Sequence, residues 1–130
     1  LPIELQDELD ELNAVKKLKM LSNNQQFRKV YDHGQRFHTS YFSAFILKND
    51  VNELRLGITV TRKIGNAVVR NRCKRRLKEA LRTRVDLSAL AGDLVINAKS
   101  ELVRAEFTQI VDALEKTLAR FRDSFSKTQS

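Results

Sequence analysis

Apolar positions change their spacing several times along the chain, and each change marks an element. Leu54, Leu56, Ile58 and Val60 alternate with Arg55, Gly57, Thr59 and Thr61, the two-residue period of a strand with one buried face. Residues 41–48 read as a second strand, joined to it by a polar turn over 49–53. In that strand Phe42, Ala44 and Ile46 face the core, while Tyr41, Ser43 and Phe45 share the other side. A third short strand covers 94–99, after Gly92. Elsewhere the period is helical. Val69, Cys73, Leu77, Ala80 and Leu81 make a stripe over 67–84, with Asn71, Lys74, Arg75, Lys78 and Arg82 opposite. Phe107, Ile110, Val111, Leu114, Leu118 and Phe121 make another over 104–122. An earlier helix starts at Ser22, which with Gln25 has the form of a capping box, and stops at Gly34; Phe27, Val30 and Tyr31 share one of its faces.

This order (helix, two or three strands, helix, strand, helix) predicts a small two-layer sandwich with helices packed on one sheet, of α+β or α/β type, with α+β the expected class. Strand 54–61, helix 67–84 and strand 94–99 form a strand–helix–strand unit. A single domain spans 20–122. In front of it, residues 1–19 are an acidic extension, either an amphipathic helix or a partly disordered appendage; behind it, 123–130 is a polar, fraying tail. A length of 130 residues suits one domain, and 42% hydrophobic against 31% charged residues supports a folded core rather than disorder. The single cysteine, Cys73, excludes an internal disulfide framework and a cysteine-cluster zinc site, and makes a reducing cytoplasm the simpler home. No apolar run approaches the roughly 18–20 residues of a membrane span, and no segment has the form of a secretory signal.

Charge changes this picture because it is local. The chain carries +8 overall, yet residues 1–15 hold five acids and no Lys or Arg. Residues 62–84 hold ten basic residues and one acid, Glu79, so the remainder of the chain is close to neutral. Self-repulsion at that density costs stability unless something neutralises it, and regularly spaced phosphates would. Six of the nine aromatics fall between Phe27 and Phe45. Core packing accounts for most such rings, but Phe27 and Tyr31 share a helix face at i and i+4, and Tyr41, Ser43 and Phe45, with Thr59 and Thr61 from the neighbouring strand, could wall a groove rimmed by cations, which suits single-stranded nucleic acid. Gly65 precedes a helix start, where free N–H groups favour phosphate oxygens, although the glycine spacing of a nucleotide loop is missing. His33 and His38 lie in a turn region without ligand-spaced partners, and Cys73 sits in an apolar stripe. The residues predict positioning of a substrate rather than its chemistry.

The segment Gly65-Asn-Ala-Val-Val-Arg70-Asn-Arg-Cys-Lys-Arg75 resembles the signature of the bacterial ribonuclease P protein component family. Phe27-Arg-Lys-Val-Tyr31-Asp-His-Gly34 resembles that family's first helix, and Arg55-Leu-Gly57-Ile-Thr-Val-Thr-Arg-Lys63 its central strand. The resemblance implies a ribosomal-protein-like fold with a left-handed strand–helix–strand crossover. It also implies an RNA subunit that performs the cleavage with Mg²⁺, removing the 5′ leader of precursor tRNA. By position, Phe27, Tyr31, Phe45 and Thr59 would line a leader cleft, with Arg70, Asn71 and Arg75 near it. Arg62, Lys63, Gly65, Arg72, Lys74 and Lys78 would meet the RNA subunit. No catalytic or metal-binding side chain, no membrane and no obligate protein partner is implied. Cys73 in an apolar slot is a mild departure, whereas the acidic stretch 1–19 has no counterpart in the resemblance and could cover the basic face. A ribosome-associated RNA binder on the same fold is the competing reading.

Overall fold

The computed structural model describes residues 18–51, 53–87 and 90–129. Among these described residues, five strands and three helices follow in the order β1 (Lys19–Met20), α1 (Asn24–His33), β2 (Gln35–His38), β3 (Phe42–Lys48), β4 (Arg55–Thr59), α2 (Ala67–Thr83), β5 (Gly92–Ala98) and α3 (Phe107–Gln129), with a 3₁₀ turn at Ser100–Arg104 before α3. The sheet order is β1-β4-β5-β3-β2. β1 and β5 flank β4 in parallel, and β3 is antiparallel to both β5 and β2. The expected α+β class and the strand–helix–strand unit β4–α2–β5 are present. Of residues 1–19, the first seventeen lie outside the described residues, and Lys19 belongs to β1.

The alternation in β3 and β4 does what its period requires. Phe42, Ala44, Ile46, Leu56, Leu94 and Ile96 are at most 1% exposed and meet Cys73, Leu77, Ala80 and Leu81 of α2 and Ile110, Leu114, Leu118 and Phe121 of α3. The layering is richer than one sheet with helices on one side. α1 packs on the other face, where Val30 and Leu21 meet Val95, with Phe27, Phe45 and Leu47 around them. β5 is therefore covered on both sides, which its unbroken Leu94-Val95-Ile96 run suits better than an alternating pattern.

Several elements differ from the periodicity, β4 and β5 by one or two residues at their ends. The N-cap of α1 is Asn23, one residue beyond Ser22: Asn23 accepts from the Gln26 N–H at 2.9 Å, and Gln26 Oε1 accepts from the Ser22 N–H at 2.7 Å. The run Ser22-Asn-Asn-Gln-Gln26 contains overlapping capping boxes, and Leu21, tied to β4 by its N–H to the Leu56 carbonyl, selects the later one. β2 has no period in the sequence, because Phe37 is its only buried residue. Tyr41 lies in the turn before β3 and packs against the larger core rather than beside Ser43 and Phe45. α3 begins at Phe107, later than expected, because Ala105 is extended, and it runs on past Arg122 to Gln129.

The end of the sheet remote from α2's first turn is closed by one ion pair. Asp93, 2% exposed, receives Arg55 through Nε at 2.7 Å and through a terminal nitrogen at 2.8 Å. Asn49 donates to the same carboxylate at 2.8 Å and to the Glu53 carbonyl at 2.9 Å, tying down the β3–β4 turn. The exposed Lys19–Glu53 pair beside it contributes little. Asp93→Ala should leave Arg55 without its ion pair and Asn49 with only the Glu53 carbonyl as acceptor. With Arg55 26% exposed, the loss of unfolding free energy by urea denaturation should be about 3 kcal/mol, the low end for a buried pair.

Candidate nucleic-acid interface

Strand register arranges the α1 face in rows. Phe45, Val95 and Gly57 form one row; Ser43, Asn97 and Thr59 form the next. Phe27 lies directly over Gly57: a Cβ there would stand 2.6 Å from ring carbons of Phe27 and 3.1 Å from a methyl of Leu21. The backbone admits the ring because the side chain is missing. Tyr31, one turn along α1 from Phe27, meets Phe45 edge-to-face with centroids 4.9 Å apart and donates its hydroxyl to Asn97 Oδ1 at 2.8 Å. Arg36 of β2 lies over Phe45 at 5.4 Å. Phe27 and Phe45 are half-buried and Tyr31 is 37% exposed, so each ring keeps an open part. The structure thus gathers Phe27, Tyr31, Phe45 and Thr59 on one face.

It also adds members that were not singled out. Asn97 follows from the parity of β5 once Val95 is known to face α1, but β5's apolar run hides that parity in the sequence. Arg36 and His38 belong to the overlooked β2. The Ser43 hydroxyl is 3.1 Å from His38 Nδ1, and desolvation by its neighbours, Arg36 and Lys99 together hold the imidazole of the exposed His38 below its usual pKa.

The basic helix presents a different geometry. Asn66 caps it by accepting from the Val69 N–H at 3.0 Å, and the turn before it is closed by the Ile64 N–H to the Thr61 carbonyl at 3.0 Å. Arg62 and Lys63 are exposed in that turn. Arg70 folds back on the same connection, donating to the half-buried Gly65's carbonyl at 2.9 Å, so this arginine braces the loop. Asn71, Arg72, Arg75 and Lys78 are exposed, and Lys74 is half-buried. Among the described residues, Arg72, Lys74, Arg75 and Lys78 form no ion pair, whereas Arg82 pairs with Glu79 at 2.9 Å. Arg76 is different again: it donates to the Leu102 carbonyl at 3.2 Å and to the Ala105 carbonyl, clamping α2 to the 3₁₀ turn. α2 packs on the face opposite the rings, so its cations approach them around the end of β4, where the Ser43–Asn97–Thr59 row also lies. No described contact joins the two sets.

Burial raises the Cys73 thiol pKa, against the opposing pull of Arg76 and Arg72, which keeps it a neutral core group. Among the described residues no three His, Cys, Asp or Glu side chains assemble into a metal site, and no described helix is long and apolar enough to cross a membrane.

These features define a small α+β protein with an unpaired cationic ridge and a ring-bearing sheet face. Its relatives are specific. The family model described as Ribonuclease P matches residues 15–122. The ribonuclease P protein component of Syntrophus aciditrophicus is 35% identical over 107 residues, covering 82% of this chain and 90% of that protein. That of Carboxydothermus hydrogenoformans is 42% identical over 102 residues, covering 75% and 86%. Among solved structures, the Staphylococcus aureus RNase P protein superposes with a TM-score of 0.69 at 30% identity, covering 79% of this chain and 94% of that one. The Thermotoga maritima protein gives 0.69 at 28% identity, covering 78% and 96%. The chain belongs to the ribonuclease P protein component family.

Arg76 should separate from its neighbours by experiment. Arg76→Met, losing two charge-assisted bonds to carbonyls, should lower the unfolding free energy by about 2–3 kcal/mol in urea. Its polyanion affinity and salt dependence should stay those of the parent, measured where both are folded.

Proposed function

We propose that the chain is the RNA-binding subunit of a ribonuclease P whose RNA subunit removes the 5′ leader of precursor tRNA. The observation that carries this is the exposed row Asn71, Arg72, Arg75 and Lys78, with its arginines and lysine unpaired among the described residues, at the border of a face bearing Phe27, Tyr31 and Phe45. In this reading the rings stack unpaired leader bases, at about 1–3 kcal/mol each, and Thr59, Asn71 and Arg75 border the strand. Arg70 acts from behind by holding the Gly65 loop. Arg62, Lys63, Gly65, Arg72, Lys74 and Lys78 face the RNA subunit, where cation–phosphate contacts release counterions. Mg²⁺ would serve the cleavage chemistry from sites on the RNA subunit. The protein's own contribution is to hold the leader and neutralise phosphates, and its place of work is the cytoplasm.

Leader cleavage by the isolated RNA subunit at low Mg²⁺ tests the reading. Adding this chain should restore cleavage, and a ribosome-associated binder on the same fold would leave it unchanged. Arg72→Ala with Arg75→Ala should weaken RNA binding several-fold and reduce the slope of log affinity against log salt by about two. Phe27→Ala should lower the preference for leader-bearing over mature tRNA. If it lowers only the melting temperature, the ring is part of the core and no stacking platform.

A further inference from the structure

The polar row beside the rings continues beyond the leader residues. His38 stands opposite Ser43, Ser43 opposite Asn97, and Asn97 opposite Thr59, so four strands present polar side chains in one line on the α1 face. At about 4.8 Å between strands, the line spans about 14 Å. Its β4 end lies where the chain departs for α2. Its β2 end carries cations that belong neither to the basic helix nor to its approach. Arg36 shares the face of His38 and lies 5.4 Å from the Phe45 ring centroid. Lys99, two residues beyond Asn97, reaches back to this end, its Nζ donating to the Thr39 carbonyl at 2.6 Å.

The groups facing His38 are Arg36 on its own strand, Lys99 beyond β5, and the neutral Ser43 on β3. α3 also touches β2, but its Arg120 lies over Phe37 on the opposite face. Among the described residues neither Arg36 nor Lys99 has a carboxylate within ion-pair distance. Two cations and an imidazole, gathered beside an aromatic ring without an acid, repel one another and favour an anion between them.

We propose that Arg36, His38 and Lys99 form a phosphodiester subsite at the β2 end of this row, so that an unpaired RNA strand seated on the rings crosses the sheet from α2 to the β2 edge. The inference rests on the RNA-binding reading above and adds to it a direction and an end point. It has a thermodynamic signature. In the free protein, desolvation by packed neighbours and the two cations hold the imidazole of the exposed His38 below its usual value. A docked phosphate replaces repulsion by attraction and raises it, so binding takes up a proton. Affinity therefore rises as pH falls through the window between the two values, and is flat on either side.

The test uses the full chain and a fluorescent single-stranded oligoribonucleotide of leader length, from about pH 8 to about pH 5.5. It also uses the chain assembled with its RNA subunit on leader-bearing and leaderless substrates. Wild type should bind several-fold more tightly at the acid end, and His38→Gln should flatten that rise. Arg36→Gln should weaken oligonucleotide binding several-fold and lower the salt slope by about one, with a matching loss on the leader-bearing substrate alone. NMR titration of the His38 imidazole should show its pKa raised by the oligonucleotide. An unchanged pH profile in His38→Gln, an unmoved imidazole, or an Arg36→Gln defect confined to RNA-subunit binding would each overturn the subsite while leaving the RNA-binding reading intact. Failure of the wild-type chain to bind either RNA would overturn that reading as well.

Discussion

β5 is buried on both faces, and the unequal way in which helices cover those faces decides where everything else can stand. α2 and α3, 17 and 23 residues long, supply an apolar stripe for one entire side. α1 has only 10 residues, about 15 Å of helix, and covers part of the other. Under it lie Val95, Phe45 and Leu47; beyond it the sheet changes to Ser43, Asn97 and Thr59. That change follows from solvation. Asn97 and Thr59 are partly reached by water and the buried Ser43 lies within hydrogen-bonding distance of His38, so these groups stay satisfied, whereas an apolar row there would expose a patch with nothing to cover it. The rings of Phe27 and Tyr31 sit at the margin of this short cover, which is why they are neither sequestered nor free. A longer α1 would bury the site, and a shorter one would leave Val95 wet.

Much of this arrangement is visible in the chain's periodicity. Leu54 to Thr61 alternates cleanly, and α2 and α3 carry unambiguous stripes, because each has one core to face. Where two surfaces claim one element, the pattern fails. Gly57 looks like a gap on an open face and is instead the seat of Phe27. β5 shows no alternation, so Asn97 could not be assigned to the ring face. β2 offers a single buried residue and no period at all. Spacing places Phe27 and Tyr31 on one helix face, and Phe45 and Thr59 on one side of the sheet, but only the family resemblance joins the two pairs, and Tyr41, which parity puts beside Phe45, packs elsewhere. What spacing cannot supply is direction around a sheet edge. The cations of α2 share an end with the rings but not a side.

The arginines of α2 illustrate a second limit. Arg70, Arg72, Arg75 and Arg76 are indistinguishable in charge and lie within seven positions. Arg72 and Arg75 point away from the core and stay unpaired, Arg70 holds its own loop, and Arg76 ties the helix to Leu102 and Ala105. The guanidinium group permits this division because it can donate to several carbonyls from a fixed plane while its stem lies along apolar surface. A net charge counted over the segment overstates what the surface presents, and the wheel alone corrects only part of the error.

The contact between Gly57 and Phe27 carries a different consequence, for how such a chain can vary. The ring's height above the sheet is set by an atom that is not there, so positions 27 and 57 cannot drift independently. Any side chain at 57 lifts the aromatic group, and a smaller residue at 27 opens a void over bare backbone. A lineage leaving this pairing would have to alter both at once or pass through a poorly packed intermediate.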